Sequence, residues 1–344
     1  MRWRKLCLSL LLLCGSISAL PAPAALAGTP GARPQLSVML VQSYHQEYSW
    51  CQLVAKGVRN ALRDLPVRIE VQYLDAKRDP DPERLRAKAK ALFDRIEAEK
   101  PQVVIAADDA AQYYLVAPYL KGRAAPQVIF CGVNAQPAHY GFPAANVSGV
   151  RERWHFREGF ALLKRINPRL HTVTLLSDTS ESSDFVLKGM REEAKAGRFA
   201  LNVVEVERPR TLQQWRLAVR RAQARTDALA LGLYLTLVDE KTGKVAEADE
   251  VAAWNMANIH RPTLGFADYA SGHGLLCGIL ESGEEQGQLA GAMARTVLEH
   301  GVAAGSLPLR INRKGLVLLN LKTAERLNLI IPYNIIQAAE IVIK

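Results

Sequence analysis

Aromatic and polar residues suited to binding a small organic molecule follow a short apolar segment near the start of the chain. The apolar segment covers residues 36–41, and residues 42–50 continue it with the sequence QSYHQEYSW. An apolar run of this length that ends in a polar break is typical of a buried parallel strand. Ligands of open α/β sheets bind beyond the carboxyl ends of such strands. Residues 42–50 are therefore either a recognition surface or a surface loop whose rings pack on the next helix.

Polar and aromatic groups also follow the other predicted strands, in both halves of the chain. Aromatic walls suit a flat or apolar ligand, and a few placed polar groups orient it. A carboxylate at Asp108 or Asp268 suits a ligand ammonium. Hydroxyl groups at Ser43, Ser177 and Thr179 suit a ligand carboxylate. The alternative for the rings is structural packing, and for Asp268 a role in a turn. The candidate ligand-binding residues are Ser43, Tyr44, Tyr48, Trp50, Asp108, Asp109, Asn134, Ser177, Asp178, Thr179, Tyr234, Thr236, Phe266, Asp268 and Tyr269.

Residues that could catalyse a reaction do not form a complete motif. The sequence has no GxSxG, HExxH, P-loop or GxGxxG pattern. Asp108 and Asp109 could form an acid/base pair, but adjacent residues on an extended chain point to opposite sides. His45 or His273 with an aspartate would be part of a triad that lacks a nucleophile. We therefore predict a binding protein and not an enzyme, with no catalytic residue, no metal site and no cofactor.

The charge of the chain is basic but dispersed. The formal net charge is +10, and the basic residues are spread over predicted helices, as over residues 216–225. Dispersed charge of this kind is typical of solvated helix faces, so we predict no nucleic-acid partner. After the leader, the cysteines are Cys51, Cys131 and Cys277, an odd number without metal-site spacing. We predict no structural disulfide among them.

The first 27 residues have the features of a secretory signal peptide. Arg2, Arg4 and Lys5 precede an apolar stretch over residues 6–13, and Ala25-Leu26-Ala27 is a small-x-small cleavage site. A lipoprotein signal ending at Cys14 is the alternative, but the leucine before it is too large for that motif. We predict cleavage after residue 27 and export to the periplasm as a soluble monomer.

The mature chain alternates short apolar runs with amphipathic segments, which predicts parallel sheets covered by helices on both faces. Its length suggests two domains. The predicted strands are residues 36–41, 67–74, 103–107, 127–131, 146–150, 172–176, 201–206, 228–233, 262–266, 275–280 and 316–321. The main predicted helices are residues 52–65, 83–100, 110–120, 153–166, 184–196, 211–225, 248–259 and 284–300. The pattern occurs twice, so we expect two α/β lobes whose strand ends face one cleft.

The end of the chain resembles a known family. Residues 319–327 read LNLKTAERL, and Ile331-Pro332 and the sequence AAEIV at residues 338–342 follow. This segment resembles the tail of the ABC transporter substrate-binding family of the tryptophan/tyrosine type, which carries the pattern N-L-K-T-A-x-x-L-G-hydrophobic-x-I-P. Asn328 occupies the position where that family commonly has glycine. Residues 262–288 and the order of elements from residue 36 are also similar to the family.

The resemblance implies a type 1 periplasmic binding protein fold, with two Rossmann-like lobes that close on a ligand about a three-strand hinge. We map the crossings between lobes to residues 148–150, 269–275 and 307–316. The first lobe is then expected to contain residues 36–148 and 275–307, and the second residues 149–274 and 308–344, after a signal peptide over residues 1–27.

The resemblance further implies that the protein captures a small molecule, such as an aromatic or other amino acid, for an ABC permease. The aromatic loop at residues 44–50 and the polar turn DEKTGK at residues 239–244 look more like a subgroup found beside bacterial two-component sensors. The alternative function is therefore a sensory module that reports a ligand to a membrane histidine kinase.

Overall fold

Two β-sheets, each covered by helices, carry the architecture. The computed structural model describes residues 36–267, 271–312 and 315–344. The predicted signal peptide and two of the candidate ligand-binding residues, Asp268 and Tyr269, lie outside the described residues. Within the described residues no helix is long and apolar enough to span a bilayer.

The first sheet has six strands and the second has seven. The strands of the first are β1 (Leu36–Gln42), β2 (Val67–Tyr73), β3 (Val103–Ala107), β4 (Gln127–Val133), β5 (Val147–Arg151) and β11 (Arg310–Ile311). The strands of the second are β6 (Thr172–Leu176), β7 (Asn202–Glu207), β8 (Ala228–Leu231), β9 (Thr263–Ala267), β10 (Cys277–Glu281), β12 (Leu316–Asn320) and β13 (Ile341–Ile343). Their spatial orders are β11-β5-β4-β3-β1-β2 and β13-β12-β10-β9-β8-β6-β7. All neighbouring strands are parallel except β10 and β12, which confirms the predicted α/β class.

Helices connect the strands and cover both sheets. They are α1 (Ser49–Leu62), α2 (Pro82–Glu99), α3 (Asp108–Ala111), α4 (Phe156–Ile166), α5 (Glu181–Lys195), α6 (Leu212–Arg225), α7 (Ala248–Asn258), α8 (Gly283–His300), α9 (Leu321–Arg326) and α10 (Tyr333–Gln337). A π-helical segment, Gln112–Leu120, continues α3. The sequence patterns located the long helices to within a few residues. They did not indicate the short elements β11, β13 and α10.

Strand β1 shows why the strands read as continuous apolar runs. Val38 and Leu40 pack into one hydrophobic cluster, and Met39 and Val41 pack into the cluster on the opposite face of the sheet. A strand that is covered on both faces needs apolar residues at every position instead of at alternate ones. Its carboxyl end is therefore the first place where polar residues can appear.

Helix ends follow local chemistry. Asp81 caps α2 by accepting hydrogen bonds from the N–H groups of Glu83 and Arg84, at 3.1 and 2.9 Å. Pro82 occupies the first turn, where its missing N–H costs no hydrogen bond. Lys100 ends the helix in the left-handed conformation with φ +48°. These features place α2 directly after the loop from β2, which contributes to the cleft described below.

Helices α1 and α8 pack against each other so closely that glycine is required at the contact. A Cβ atom on Gly57 would lie 2.1 Å from the carbonyl oxygen of Glu284, and one on Gly287 would lie 2.1 Å from that of Val54. Because neither backbone oxygen can move away alone, larger residues at the two glycines would separate the helices. This contact fixes α8 on the first sheet, although α8 directly follows a strand of the second.

The crossings between the sheets differ from those expected from the sequence. Residues 275–307 were assigned to the first lobe, but β10 lies in the second sheet and only α8 packs on the first. The chain therefore changes sheets at Ser282, between β10 and α8, and not near residue 274. The other two changes lie between β5 and α4 and between β11 and β12. The apolar sequence of β10 did not reveal which of the two sheets it would join.

Candidate ligand-binding cleft

Side chains from both sheets meet around a small cavity at the carboxyl ends of the strands. The cavity has a volume of about 40 Å³, which is room for one or two water molecules. Its lining residues are Tyr44, Tyr48, Trp50, Lys77, Asp108, Asn134, Glu152, Trp154, Ser182, Leu233 and Ala267. An outer groove of about 830 Å³ lies alongside it, and Tyr44, Lys77 and Ser182 line both spaces. We call the two spaces the inner cavity and the outer groove.

Each of the first five strands is followed by at least one residue that lines the inner cavity. Tyr44 follows β1, Lys77 follows β2, and Asp108 follows β3. Asn134 follows β4, and Glu152 follows β5. Parallel strands end at the same edge of a sheet, so residues far apart in sequence come together there.

Asp108 is held by its neighbours in an uncommon backbone conformation. Its φ is +67°, a region that residues other than glycine seldom use. The hydroxyl of Ser43 donates to the carbonyl of Ala107 at 2.6 Å and accepts from the N–H of Ala111 at 2.8 Å. Gln112 donates to the carbonyl of Asp108 itself at 3.0 Å. Residues held in such conformations cluster at functional sites.

Two tryptophans orient two carboxylates of the cavity. The indole N–H of Trp50 donates to Oδ1 of Asp108 at 2.9 Å, and that of Trp154 donates to Oε1 of Glu152 at 2.9 Å. All four residues are buried. A carboxylate can accept about four hydrogen bonds, and the indole N–H supplies one of them in each case. The wall therefore combines apolar ring faces with fixed negative charge.

Lys77 brings a positive charge to the same cavity. Its Nζ lies 3.9 Å from the ring centroid of Tyr44 and 4.2 Å from that of Tyr48, and it donates to the Tyr48 hydroxyl at 3.0 Å. The two rings meet edge to face, with centroids 5.4 Å apart. Burial lowers the pKa of Lys77 to about 8, and the negative charge of Asp108 opposes this shift.

The second lobe covers the cavity with fewer functional groups. Ser182 stands in the first turn of α5 and lines the cavity together with Tyr44 of the first lobe. Leu233 and Ala267, at the ends of β8 and β9, add apolar contacts. Trp154 stacks on Phe266, with ring centroids 5.7 Å apart. This side of the cleft is a largely apolar platform.

The structure brings five of the candidate residues together in the inner cavity, namely Tyr44, Tyr48, Trp50, Asp108 and Asn134. It places another three in the outer groove, namely Asp109, Thr179 and Thr236. Asp109 is mostly occupied as a brace: it accepts from the N–H groups of Asn134 and Ala135 and from the hydroxyl of Tyr140, at 2.9 to 3.1 Å. Its burial raises its pKa.

Three polar candidates make hydrogen bonds within the scaffold and do not line the inner cavity. The hydroxyl of Ser43 is used within the Asp108 turn, as described above. The hydroxyl of Ser177 contacts that of Ser183 at 2.8 Å and accepts from the N–H of Leu233 at 3.1 Å. Asp178 accepts from two backbone N–H groups of the β8 loop and from nearby serines. The two expected serine contacts to a ligand carboxylate are thus absent from the inner cavity.

Two aromatic candidates belong to the core of the second lobe and do not line the inner cavity. Phe266 is fully buried among other rings, with its centroid 4.6 Å from that of Phe156. Tyr234 is fully buried against Trp215, and its hydroxyl hydrogen-bonds to Nδ1 of His273 at 2.6 Å. Both stand at strand ends as predicted, but their side chains turn away from the cleft.

Sequence reasoning missed six residues of the cavity: Lys77, Glu152, Trp154, Ser182, Leu233 and Ala267. Lys77 lies four residues beyond the end of β2. Glu152 and Trp154 lie on the crossing to the second lobe. The strand-end rule applied to β2 and β5 would have found Lys77 and Glu152.

The potentially catalytic groups remain separate from one another in the described part of the chain. His45 lies 3.6 Å from Asp75, and His273 pairs with Tyr234 and Asp249. The three cysteines are buried free thiols, and burial raises the pKa of each. No cluster of three metal-ligating side chains occurs among the described residues.

Comparison with known proteins places the chain in context. Several solved structures share its fold at low sequence identity. One is an ABC domain in complex with L-Trp from Streptococcus pneumonia, with a TM-score of 0.67, 20% identity, and coverage of 90% of this chain and 100% of that one. Another is the ligand-free, open structure of a substrate binding protein with adhesive properties from Clostridium difficile, with a TM-score of 0.66, 18% identity, and coverage of 90% and 99%. A conserved domain protein from Vibrio cholerae has a TM-score of 0.66, 16% identity and the same coverage.

A more distant similarity, again with the two-lobed type 1 fold, is to a periplasmic ribose ABC transporter protein from Conexibacter woesei. Its TM-score is 0.53 at 17% identity, with coverage of 87% of this chain and 95% of that one. These similarities confirm the predicted periplasmic binding protein type 1 fold. Among curated protein sequences, none matches this chain. A sequence model of the family described as ABC transporter substrate binding protein matches residues 50–343. The chain therefore belongs to the ABC transporter substrate-binding protein family.

Proposed function

We propose that the cleft binds an amino acid with a flat, apolar side chain, and that the exported protein delivers it to an ABC permease. The observation that carries this proposal is the inner cavity, where four aromatic rings and two oriented carboxylates meet between the lobes. The rings belong to Tyr44, Tyr48, Trp50 and Trp154.

Fixed negative charge favours a ligand with an ammonium group. Asp108 and Glu152 each accept a hydrogen bond from an indole N–H, which holds them in place. Bonds between a carboxylate and an ammonium are stronger than neutral hydrogen bonds, especially where water is excluded. Ring faces attract the same cation and also contact a flat apolar body. An aromatic amino acid combines both features.

Binding requires the lobes to move. The inner cavity is too small for an amino acid, and it is lined from both lobes. We propose that the first lobe consists of residues 36–152 and 283–311, and the second of residues 153–282 and 315–344. Opening between them admits the ligand, and closure surrounds it. The ligand then stabilises the closed form by its greater affinity for that form.

Delivery to a permease is favoured over the sensory alternative, because the matching family model describes transporter proteins. We propose a periplasmic location and a monomeric state, which are common requirements for a soluble carrier that travels to a membrane partner. The sequence similarity to a signal peptide supports export.

A thermal-shift screen tests the proposal. L-tryptophan, L-tyrosine and L-phenylalanine are compared with aliphatic amino acids and with sugars. At a hundredfold excess over Kd, a ligand should add about 2.7 kcal/mol to the free energy of unfolding. Mass spectrometry of small molecules released from the purified protein identifies any ligand acquired in the cell.

The isosteric variant Asp108→Asn provides the matched control. It keeps an oxygen for the Trp50 N–H but removes the negative charge, so it should weaken binding of L-tryptophan much more than binding of indole-3-propionate, which has no ammonium. If no amino acid shifts the melting temperature and none is released from the purified protein, the proposed ligand class is wrong.

A further inference from the structure

Lys77 is a cation in the cleft without a carboxylate partner in contact. Among the described residues, no carboxylate oxygen lies within the 4.0 Å ion-pair distance of its Nζ, although surface lysines such as Lys56 and Lys90 do form ion pairs, both shorter than 3 Å. The charge is instead held by the faces of two tyrosine rings and by one hydroxyl. The carboxylates that act on it through space are those of Asp108, Asp178 and Glu152.

The hydrogen bonds of the ammonium indicate what is needed to complete the site. An ammonium has three N–H donors, and the Tyr48 hydroxyl accepts one of them at 3.0 Å. Ring faces attract the charge but do not replace hydrogen-bond acceptors of oxygen type. A desolvated ammonium with donors to spare is suited to an anionic oxygen.

The position of Lys77 matches this role. Lys77 lines both the inner cavity and the outer groove, whereas Asp108 and Glu152 line the inner cavity but not the outer groove. An α-amino acid that placed its ammonium at the two carboxylates would have its carboxylate one or two bonds away, toward the junction of the two spaces. The Ser43 and Ser177 hydroxyls, which the sequence suggested for that carboxylate, are used in the scaffold.

We infer that Lys77 binds the carboxylate of the ligand between Tyr44 and Tyr48, and that it selects against molecules whose only charge is an ammonium. The inference rests on the proposed function, and it specifies the ligand class as a zwitterion. A cation that entered without a carboxylate would face the repulsion of Lys77 in a site shielded from water.

Binding of a ligand carboxylate should change the protonation of Lys77. In the ligand-free protein burial lowers the pKa of Lys77 to about 8. A ligand carboxylate stabilises the charged form and raises this pKa again. Binding above about pH 8 therefore takes up a proton at Lys77, and affinity falls as the pH rises through that region. Below pH 7 the lysine is already charged, and this proton uptake disappears.

Three indole compounds and two variants test the inference. L-tryptophan has both charged groups, indole-3-propionate has only the carboxylate, and tryptamine has only the ammonium. Affinities are measured by titration calorimetry on the wild type, on Lys77→Met, which keeps an apolar stem, and on Lys77→Arg, which keeps the charge. Melting temperatures without ligand verify that each variant is folded.

We expect Lys77→Met to weaken L-tryptophan and indole-3-propionate at least about tenfold and to strengthen tryptamine. Lys77→Arg should retain most of the preference for the two carboxylates. Calorimetry at pH 8.5 in buffers of different ionisation enthalpy should show proton uptake with L-tryptophan in the wild type and less of it in Lys77→Met. A merely structural role would change all three affinities in the same direction.

Equal losses for all three compounds, or wild-type binding of tryptamine tighter than that of L-tryptophan, would overturn the inference while leaving the proposed aromatic ligand intact. If none of the three compounds binds, the proposed aromatic ligand is wrong. A small-molecule extract of cells is then incubated with the wild type and with Lys77→Met, and the compounds that each protein retains are compared by mass spectrometry. If only the wild type retains compounds that carry a carboxylate, the result supports the role of Lys77. If both proteins retain the same compounds, the result contradicts it.

Discussion

The carboxyl ends of the two sheets look alike in sequence but differ in what their side chains do. At the first sheet, at least one residue after each of β1 to β5 lines the inner cavity, including Lys77, Asp108 and Glu152. At the second sheet, the described polar and aromatic residues at the ends of β6, β8 and β9 mostly turn inward. Asp178 binds the β8 loop, and Phe266 packs in the core.

Under the proposed function, the first lobe supplies most of the recognition groups and the second lobe supplies a largely apolar cover. Buried polar groups must be hydrogen-bonded, and the long loop after β8 provides many backbone N–H groups that need acceptors. The carboxylate of Asp178 meets this need and is therefore unavailable to a ligand. Around the first sheet the corresponding loops are braced by Ser43 and Asp109, which leaves neighbouring residues to face the cleft.

The largest expected effect comes from a ring at the end of the second sheet. Phe266→Ala should lower the free energy of unfolding by about 3–5 kcal/mol, because it removes a fully buried ring that contacts Phe156 and Trp154. Denaturant unfolding measures the loss. Tyr48→Ala is the matched ring at the first sheet, where we expect about 1 kcal/mol in stability and a larger loss of affinity for L-tryptophan.

The comparison between the lobes would break down if these two results were exchanged. A stable Phe266→Ala protein that failed to bind any compound would mean that the second sheet also presents rings to the ligand.

Asp178 is expected to have the next largest effect. Asp178→Ala should cost about 3 kcal/mol of stability, because it leaves the N–H groups of Leu235 and Thr236 and the hydroxyl of Ser183 without their acceptor. Thermal and denaturant unfolding provide the measurement. Thr179→Ala, next to it but exposed, should change stability by less than about 0.5 kcal/mol. Full stability of Asp178→Ala with lost binding would assign this carboxylate to the ligand.

Trp50→Phe examines the first lobe more finely. The variant keeps an aromatic ring but removes the N–H that donates to Asp108 at 2.9 Å. Hydrogen bonds to charged groups contribute about 1.5–3 kcal/mol, so we expect at least a tenfold loss of affinity for L-tryptophan as Asp108 loses its orientation. Titration calorimetry measures the affinity. An unchanged affinity would show that the ring matters and the N–H does not.

Much of the fold could be predicted from the sequence, because the spacing of apolar residues depends on which faces of each strand or helix are buried. The run at residues 36–41 is apolar throughout since both faces of β1 are covered, and the αβ alternation predicted two parallel sheets. The sequence did not predict which sheet β10 joins. The position of α8 on the first sheet depends on its contact with α1, which requires Gly57 and Gly287 to face backbone oxygens far away in the chain.

For the site, the sequence predicted position along the strand but not side-chain direction. Tyr44 and Tyr234 both follow strands, yet one lines the cavity and the other pairs with His273 inside the core. The outcome depends on which neighbour satisfies each polar group, and that information is distributed over distant segments. Lys77 was missed for a related reason. A lysine in a charged loop is normally exposed to solvent, and the sequence does not show that two tyrosine rings surround this one.

The smallest expected effect concerns a carboxylate at the opposite, amino end of the second sheet. Asp227 accepts from the N–H groups of His171 and Thr172 at 2.8 and 3.0 Å, and the hydrogen bond from His171 contributes most to lowering its pKa. A carboxyl whose folded pKa is below its unfolded pKa, about 3.9, stabilises the fold above that value, and the contribution is lost as the pH falls through the folded pKa.

Asp227 is largely screened by solvent, so Asp227→Asn should lower the free energy of unfolding by only about 0.5 kcal/mol at pH 7. The difference from the wild type should shrink toward zero near pH 2, since both proteins then carry a neutral side chain at residue 227. Denaturant unfolding at the two pH values measures the change. A difference that stayed constant with pH would mean that hydrogen-bond geometry, and not charge, is what Asp227 contributes. In that case Asp178 and Asp227, at the two ends of the second sheet, would act in the same way: each would accept hydrogen bonds from backbone N–H groups without a contribution from its charge.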